Sequence, residues 1–171
     1  MPPEVRAVEA AALASTARTL VTPGQTVCAY VPVGTEPGSR QLLDELRALD
    51  VQVLLPVVVG RKPLDWAMYD GNLVPGPHNL LEPAGPRLGV EALTATSLIL
   101  VPALAVDATG VRLGRGAGHY DRSLVFATPG TALVAVVRDQ EFLPELPADA
   151  HDIRMTAVLT PGEGKIDLGN P

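Results

Sequence analysis

Four short and almost uninterrupted apolar runs constrain the fold of this chain more than any other feature of its sequence. They are residues 26–33 (TVCAYVPV), 51–59 (VQVLLPVVV), 98–106 (LILVPALAV) and 131–137 (TALVAVV). A strand with one solvated face alternates apolar and polar residues, whereas a strand covered on both faces reads as a continuous apolar run. The runs therefore predict a mostly parallel sheet that is covered on both faces.

Two segments with helical spacing lie before and after the first of these runs. Residues 5–20 are rich in Ala and Leu and end before a Pro-Gly pair. Residues 40–49 follow a potential N-cap, Ser39, and place four leucines on one face, namely Leu42, Leu43, Leu46 and Leu49. The order helix, strand, helix, strand predicts the α/β class. We expect a single three-layer domain over residues 1–171, in which helices cover both faces of the mostly parallel sheet.

The remaining stretches are less regular. Residues 60–95 are rich in Gly and Pro and predict loops, with a short strand or turn near 66–69. A helix is predicted to start at 119–122. Residues 151–159 are predicted as a last edge strand, and residues 160–171 as a frayed tail.

Composition excludes several classes of protein. With 47% hydrophobic residues, 171 residues can bury a real core, so global disorder is excluded. The longest apolar run, 98–106, is far short of the roughly 20 residues that span a bilayer. A net charge of −6 argues against a general nucleic-acid binder. The single cysteine, Cys28, excludes an internal disulfide and favours a reducing compartment. We therefore predict a cytoplasmic monomer that contacts no membrane or nucleic acid.

A glycine-rich segment, residues 107–122, follows the third apolar run. Its glycines alternate at Gly114, Gly116 and Gly118, which leaves backbone N–H groups accessible and permits left-handed conformations. Such N–H groups beside a helix N-terminus bind anions. The spacing fits neither the Rossmann fingerprint nor the phosphate-binding loop that ends in Gly-Lys-Ser/Thr. The alternative, a plain connection between a strand and a helix, therefore stays open.

Arginines are concentrated in the same segment. Arg112, Arg115 and Arg122 outweigh Asp107 and Asp121, which gives a local charge of +1 in a chain of −6. The guanidinium group suits phosphate or carboxylate, although Arg112 could equally be a salt-bridge partner of Asp107. In open parallel sheets, ligands bind beyond the carboxyl ends of the strands, where we expect this segment to lie.

Taken as one string, residues 110–122 resemble the signature of the 5-formyltetrahydrofolate cyclo-ligase family, also called methenyltetrahydrofolate synthetases. The residues that carry the likeness are Gly110, Arg112, Leu113, Gly114, Gly116, Gly118, Tyr120, Asp121 and Arg122. Weaker matches follow in the family's order at 29–32 with Glu36, 55–57, 81–83, 101–107, 146–147 and 151–152. The resemblance covers about residues 30–159.

The resemblance implies an enzyme, an ATP-dependent ligase that also requires Mg²⁺. Members cyclise 5-formyltetrahydrofolate to 5,10-methenyltetrahydrofolate and release ADP and phosphate. The formyl oxygen takes the γ-phosphoryl group, which turns a poor leaving group into a good one, and N10 then closes the ring. Such chemistry depends on positioning and charge stabilisation, which N–H groups, Arg and Mg²⁺ supply.

The resemblance also implies roles for single residues. The residues implied to bind ATP are Arg112, Leu113, Gly114, Arg115, Gly116, Ala117, Gly118, His119 and Tyr120. Those implied to contact the reduced folate are Glu36, Arg115, Gly116, Ala117, Gly118 and His119. The implied catalytic residues are Arg115, Tyr120 and Asp121, and the implied metal ligands are Asp121 and Asp152.

Each of these residues also has a plainer interpretation. Asp121 could be a charge that stabilises a helix N-terminus, Asp152 a surface carboxylate, and Glu36 an ordinary turn acid. Tyr120 either stacks on a ligand ring or packs in the core, and Trp66 is a weaker candidate for lining the pocket. His119 replaces the family's usual aromatic, and the other two histidines, His78 and His151, are predicted to lie at the surface without zinc-like spacing.

Three departures from the family pattern favour a second hypothesis. Members usually begin with Lys and Arg one helical turn apart, whereas this chain begins with a sequence resembling the part after that turn. Ala117 stands where many members have Gly or Lys, and Thr156 where an acidic residue is common. The alternative is a non-catalytic folate- or nucleotide-binding paralogue. A third hypothesis, a distant relative of sugar-phosphate isomerases or acyl-transferases, depends on fold analogy alone.

Overall fold

The computed structural model describes residues 1–169. Its helices are α1 (Pro3–Thr19), α2 (Arg40–Ala48) and α3 (His119–Leu124), and short 3₁₀ helices span Pro77–Asn79, Val90–Ala95 and Asp139–Glu141. The strands are β1 (Thr26–Cys28), β2 (Gln52–Val57), β3 (Asp65–Met68), β4 (Leu73–Pro75), β5 (Leu81–Pro83), β6 (Leu98–Pro102), β7 (Ala105–Asp107), β8 (Arg112–Leu113), β9 (Ala132–Val136), β10 (Phe142–Leu143), β11 (Ala157–Thr160) and β12 (Gly164–Asp167). None of the helices in this range has the length and apolar character needed to cross a bilayer.

Within the described residues, seven strands form the main sheet in the order β12-β11-β9-β6-β1-β2-β3. The five inner strands run parallel, with Val27 opposite both Val53 and Leu98, and Leu100 opposite Val134. The edge strands β3 and β12 are antiparallel to their neighbours. The predicted mostly parallel sheet is confirmed.

Both faces of the sheet are buried, which explains the uninterrupted apolar runs. Along β6, Leu98 and Leu100 pack with α1 and α2 on one face, whereas Ile99 and Val101 pack on the opposite face. The second face is covered by shorter elements, including Leu124 of α3 and Leu93 of a 3₁₀ helix. The chain therefore has the predicted three-layer α/β architecture.

The predicted elements are present with shorter bounds. The run 26–33 forms a strand only to Cys28, and the run 98–106 divides after Pro102 into β6 and β7. Strand β7 leaves the main sheet and pairs with β8 and β10. Ser39 caps α2 as predicted, since its hydroxyl accepts a hydrogen bond from the Leu42 N–H. The hydrophobic pattern predicted where these elements lie, but the apolar runs extend beyond the residues that form the hydrogen bonds of the sheet.

The C-terminal predictions were wrong. Within 151–159, only the last residues join a strand, β11, and this strand is internal because β12 pairs with it on the outer side. The predicted frayed tail instead forms this hairpin, except that residues 170 and 171 lie outside the described part. Asp139 holds the turn by accepting hydrogen bonds from the Thr160 hydroxyl (2.6 Å) and the Gly162 N–H (3.1 Å). These bonds, above all that from Thr160, lower the pKa of Asp139.

The turn between β7 and β8 requires a glycine at position 110. Gly110 has φ +89°, and a Cβ there would lie 2.6 Å from the Met155 carbonyl oxygen. The two backbones are joined at this point, because the Met155 N–H donates to the Gly110 carbonyl (2.8 Å). A side chain at this position would therefore separate the turn from the segment before β11.

We expect Gly110→Ala to lower the free energy of unfolding by about 3 kcal/mol, measured by chemical denaturation, because strain and a backbone clash add. Gly130→Ala is the matched control, since Gly130 has φ +93° and a Cβ there would meet no described atom beyond its chain neighbours within 4 Å. That variant should lose only about 1 kcal/mol. Equal losses in the two variants would contradict the steric part of this explanation.

Candidate active site

A cavity of about 630 Å³ opens at the carboxyl ends of the parallel strands. The chain connects β1 to β2 on one side, and β6 lies on the other side of β1, so the direction of the strand order reverses between β1 and β6. Such a switch point leaves a crevice in open α/β sheets. The residues that follow these strands line it, namely Tyr30 and Val31 after β1, Val58 after β2, and Ala103 and Leu104 after β6.

The glycine-rich segment forms one wall of this cavity. All ten residues from Arg112 to Asp121 line it. Gly116 (φ +96°) and Gly118 (φ +72°) take left-handed conformations, and Gly118 is the N-cap of α3. Gly114 is not among the glycines with positive φ, but a Cβ there would lie 2.9 Å from an Arg112 guanidinium nitrogen. The alternating glycines therefore serve backbone conformation at two positions and close approach at the third.

Arg112, the first residue of this wall, has only 6% of its side chain exposed. It donates to the Pro102 carbonyl (3.0 Å), is 3.8 Å from the Asp121 carboxylate, and has its guanidinium carbon 5.5 Å from the centre of the Tyr120 ring. Its Nε has no hydrogen-bond partner among the residues that the structure describes. Burial lowers the pKa of Arg112, an effect that Asp121, Tyr120 and Asp152 oppose.

Asp107 is not the partner of Arg112, so that alternative was wrong. Its carboxylate is fully buried and accepts hydrogen bonds from the Thr109 N–H and hydroxyl (both 2.8 Å), the Val111 N–H (3.0 Å) and the Leu146 N–H (2.7 Å). Burial raises the pKa of Asp107, but these bonds together outweigh that effect and lower it. The carboxylate thus joins the start of the glycine-rich segment to the segment that leads to Asp152.

The two predicted metal ligands line the same cavity. Asp121 is about one-third exposed in the first turn of α3, which also fits a helix-dipole role. Asp152 lies in a turn where its carboxylate accepts from the Asp149 N–H (2.7 Å). No group of three His, Cys, Asp or Glu side chains that could hold a metal occurs in residues 1–169. Two carboxylates suit Mg²⁺, however, because it usually keeps water or phosphate oxygens as its other ligands.

Two of the six residues predicted to contact folate, Glu36 and Arg115, contact each other. The Glu36 carboxylate accepts from the Val33 N–H (2.8 Å) and lies 3.3 Å from Arg115 Nε. Arg115, about half exposed, also donates to the Val33 carbonyl (3.3 Å). Arg6 of α1 donates to the Gly34 carbonyl next to it (2.9 Å). Glu36 therefore stabilises its own turn, as the plainer interpretation holds, and this turn also borders the cavity.

The aromatic candidates separate into cavity and core. Tyr120 is half-buried and does both, since it lines the cavity and packs against the core of the second face. His119 lines the cavity, and burial, followed by the charge of Arg122, lowers its pKa, which favours the neutral ring. Trp66 is fully buried in the core, so its prediction as a pocket residue was wrong. His78 and His151 are exposed, as predicted.

Sequence reasoning missed part of the cavity. Leu80, Leu81 and Glu82 form a wall on the β4–β5 hairpin, where the sequence showed only loose Gly/Pro-rich loops and a short Glu-Pro match. Leu64 completes the wall and carries no signal of its own. Thr156, at a position where family members often have an acid, binds the backbone of Leu133 in the neighbouring strand.

Fold and site together define an α/β protein with a ligand cavity at the switch point of a parallel sheet, bordered by a glycine- and arginine-rich wall. The model of the 5-formyltetrahydrofolate cyclo-ligase family matches residues 1–161. A 5-formyltetrahydrofolate cyclo-ligase of Mycolicibacterium smegmatis is 50% identical, over 98% of this chain and 90% of its own length. One of Escherichia coli is 29% identical, over 81% of this chain and 79% of its own. The chain belongs to the 5-formyltetrahydrofolate cyclo-ligase family.

Solved structures agree with this membership. The 5,10-methenyltetrahydrofolate synthetase of Aquifex aeolicus matches with a TM-score of 0.81 and 25% identity, covering 100% of this chain and 87% of its own. The one from Mycoplasma pneumoniae matches with a TM-score of 0.73 at 15% identity, over 92% of this chain and 88% of its own, which shows the shared fold. The family resemblance of the sequence is confirmed, and the hypothesis based on fold analogy alone is not needed.

We expect Asp107→Asn to lower the free energy of unfolding by about 2–3 kcal/mol at pH 7, because an amide places N–H donors against donors. The pKa of Asp107 is lower in the folded protein than in the unfolded chain, where it is about 3.9. The carboxylate therefore stabilises the fold above that pH, and this contribution is lost as the pH falls through the pKa of the folded protein. The difference between native protein and variant should therefore shrink below about pH 4.

Denaturant titrations across this pH range measure the effect. Asp70→Asn is the control, because Asp70 is exposed and accepts a single bond from the Asn72 N–H. It should change stability by less than about 0.5 kcal/mol at any pH. A constant difference for Asp107→Asn from about pH 7 down to about pH 3 would show that the carboxylate charge is not the stabilising feature.

Proposed function

We propose that this protein catalyses the ATP- and Mg²⁺-dependent cyclisation of 5-formyltetrahydrofolate to 5,10-methenyltetrahydrofolate, with release of ADP and phosphate. The observation that carries the proposal is the convergence on one cavity of residues 112–121, Glu36 and Asp152, which the family resemblance implicates separately. They come from distant parts of the chain. A volume of about 630 Å³ is also within the usual range for small-molecule sites.

In this proposal the glycine-rich wall binds the triphosphate. Residues 112–120 offer backbone N–H groups at Gly116 and Gly118, where left-handed conformations turn the chain. Arg115 is exposed enough to exchange its Glu36 contact for a phosphate. Arg112 is nearly buried and contributes a fixed positive charge at the start of the wall. Its Nε has no protein partner among the described residues.

Asp121 and Asp152 would hold Mg²⁺, which would neutralise charge on the phosphate oxygens. Asp121 lies 3.8 Å from the Arg112 guanidinium group, and Asp152 lines the same cavity. Both placements support a shared site at the phosphate end of the cavity. The Asp152 carboxylate is oriented by the Asp149 N–H, which favours a fixed ligand over a mobile surface group.

The reaction would proceed in two displacements. The formyl oxygen attacks the γ-phosphorus and ADP leaves; N10 then attacks the formyl carbon, and the oxygen leaves with its phosphoryl group as phosphate. The N10 proton is released as the ring closes. Arg115 and the N–H groups of the glycine-rich wall would stabilise the charge that develops on the transferred group. Tyr120 would help to hold Arg112 in position, since its ring centre lies 5.5 Å from the guanidinium carbon.

The folate rings would occupy the remaining, mostly apolar part of the cavity. The cavity lining includes the apolar side chains Val58, Leu64, Leu80 and Leu81, together with His119, whose lowered pKa favours the neutral ring. Glu36 would contact the folate beside Arg115. The assignment of residues 1–171 to a single domain and the cytoplasmic, monomeric state stay predictions.

We expect Asp121→Asn and Arg115→Ala each to lower kcat/KM at least about 100-fold, since each removes a charge aimed at the transferred phosphoryl group. The absorbance of methenyltetrahydrofolate measures turnover. Asp70→Asn and Arg18→Ala, both at exposed positions outside the cavity lining, are the matched controls and should retain activity. Unchanged rates in both cavity variants would overturn these roles.

Calorimetry separates the enzyme from a non-catalytic paralogue. The enzyme should bind Mg-ATP and 5-formyltetrahydrofolate and turn them over, and Asp121→Asn should weaken the dependence of nucleotide binding on Mg²⁺ without changing folding. Folate binding without ATP binding or turnover would instead establish the paralogue.

A further inference from the structure

One contact joins two segments of the cavity lining that the proposed function assigns to different ligands. Arg115 belongs to the glycine-rich wall, Glu36 lies in the connection between β1 and α2, and both line the cavity. Arg115 Nε is 3.3 Å from Glu36 Oε1, and its Nη2 donates to the Val33 carbonyl (3.3 Å). A triphosphate that binds Arg115 therefore meets a side chain that already has an acidic partner.

The carboxylate is the fixed member of this pair. Its Oε2 accepts from the Val33 N–H (2.8 Å), and the Glu36 N–H donates to the Val33 carbonyl (3.1 Å). Arg6 of α1 holds the same turn by donating to the Gly34 carbonyl (2.9 Å). The Glu36 side chain is only 13% exposed, whereas that of Arg115 is 53% exposed. We therefore expect the arginine to move when the two side chains separate.

A triphosphate is a stronger partner for the guanidinium group than Glu36 is. A partly exposed ion pair shifts an equilibrium by no more than about fivefold. A triphosphate carries more charge, and its oxygens can accept two parallel N–H bonds from one guanidinium group. When Arg115 turns to such a ligand, Glu36 keeps its bond from Val33 but loses the positive charge at Oε1. A partly buried carboxylate oxygen in that state is stabilised by a new donor.

We propose that Glu36 and the triphosphate compete for Arg115, so that nucleotide binding frees Glu36 Oε1 to accept a hydrogen bond from an N–H group of the reduced folate. Each ligand then binds more tightly when the other is present, and by the same factor. The inference depends on the proposed function, because it takes Arg115 as a phosphate ligand and Glu36 as a folate contact. It adds the energetic coupling between these two sites.

Calorimetry with Mg²⁺ and a non-hydrolysable ATP analogue measures this coupling without turnover. In the native protein, a saturating concentration of the analogue should lower the Kd for 5-formyltetrahydrofolate about three- to fivefold, and saturating folate should lower the Kd for the analogue equally. An absence of coupling in the native protein would overturn the inference.

Glu36→Gln removes the charge but keeps an oxygen that can accept from the Val33 N–H. In the absence of folate this variant should bind the analogue about three- to fivefold more tightly than the native protein does. It should also bind folate more weakly and show no coupling between the two ligands. Glu91→Gln, at an exposed position outside the cavity lining, is the matched control and should change none of these constants.

A double-mutant cycle separates competition for Arg115 from a general effect of charge. In the Arg115→Ala background, Glu36→Gln should no longer tighten binding of the analogue. An equal gain with and without Arg115, or weaker binding of the analogue by Glu36→Gln, would overturn the inference. A native protein that converts the folate with Mg-ATP but shows no coupling would overturn this inference alone, whereas one that binds neither ligand would overturn the proposed function as well.

Discussion

Burial of the parallel strands on both faces is the constraint on which the rest of the structure depends. Because Leu98 and Leu100 face one layer and Ile99 and Val101 the other, the strand surfaces offer no room for polar chemistry. Polar and charged groups are therefore confined to the strand ends. The strand order reverses between β1 and β6, so their carboxyl ends leave a crevice there, and the connections that follow these strands carry the site.

A single buried carboxylate then joins two of those connections. Asp107 ends β7 and binds both the turn that starts the glycine-rich wall and the Leu146 N–H, which leads to the segment of Asp152. It lies outside the cavity lining, yet it sets the distance between the walls that hold Asp121 and Asp152. Gly110 performs the same task by sterics, since the absence of a side chain lets Met155 approach.

How much could be predicted from the sequence depended on whether a residue's partners were local. The parallel sheet, α1, α2 and the wall at 112–121 follow from apolar runs, helical spacing and a contiguous motif, and all were predicted. The β11–β12 hairpin was missed because Asp139, more than twenty residues away, stabilises its turn. Proximity along the chain also made Asp107 a candidate partner of Arg112, whereas the fold places the Asp121 carboxylate beside that guanidinium group. Glu82 gave little signal because its burial against Gly76 arises only in the folded hairpin.

The charges of the cavity suggest why the proposed reactants would enter together. Arg112 lies beside Asp121 and Arg115 beside Glu36, so each of these arginines has an acidic neighbour before any ligand binds. A triphosphate alone would bring negative charge against these carboxylates, and a divalent cation alone would bring positive charge against the arginines. Bound as a pair, the cation would take carboxylate oxygens and the phosphates would take the guanidinium groups, so partners would be exchanged with no charge left uncompensated.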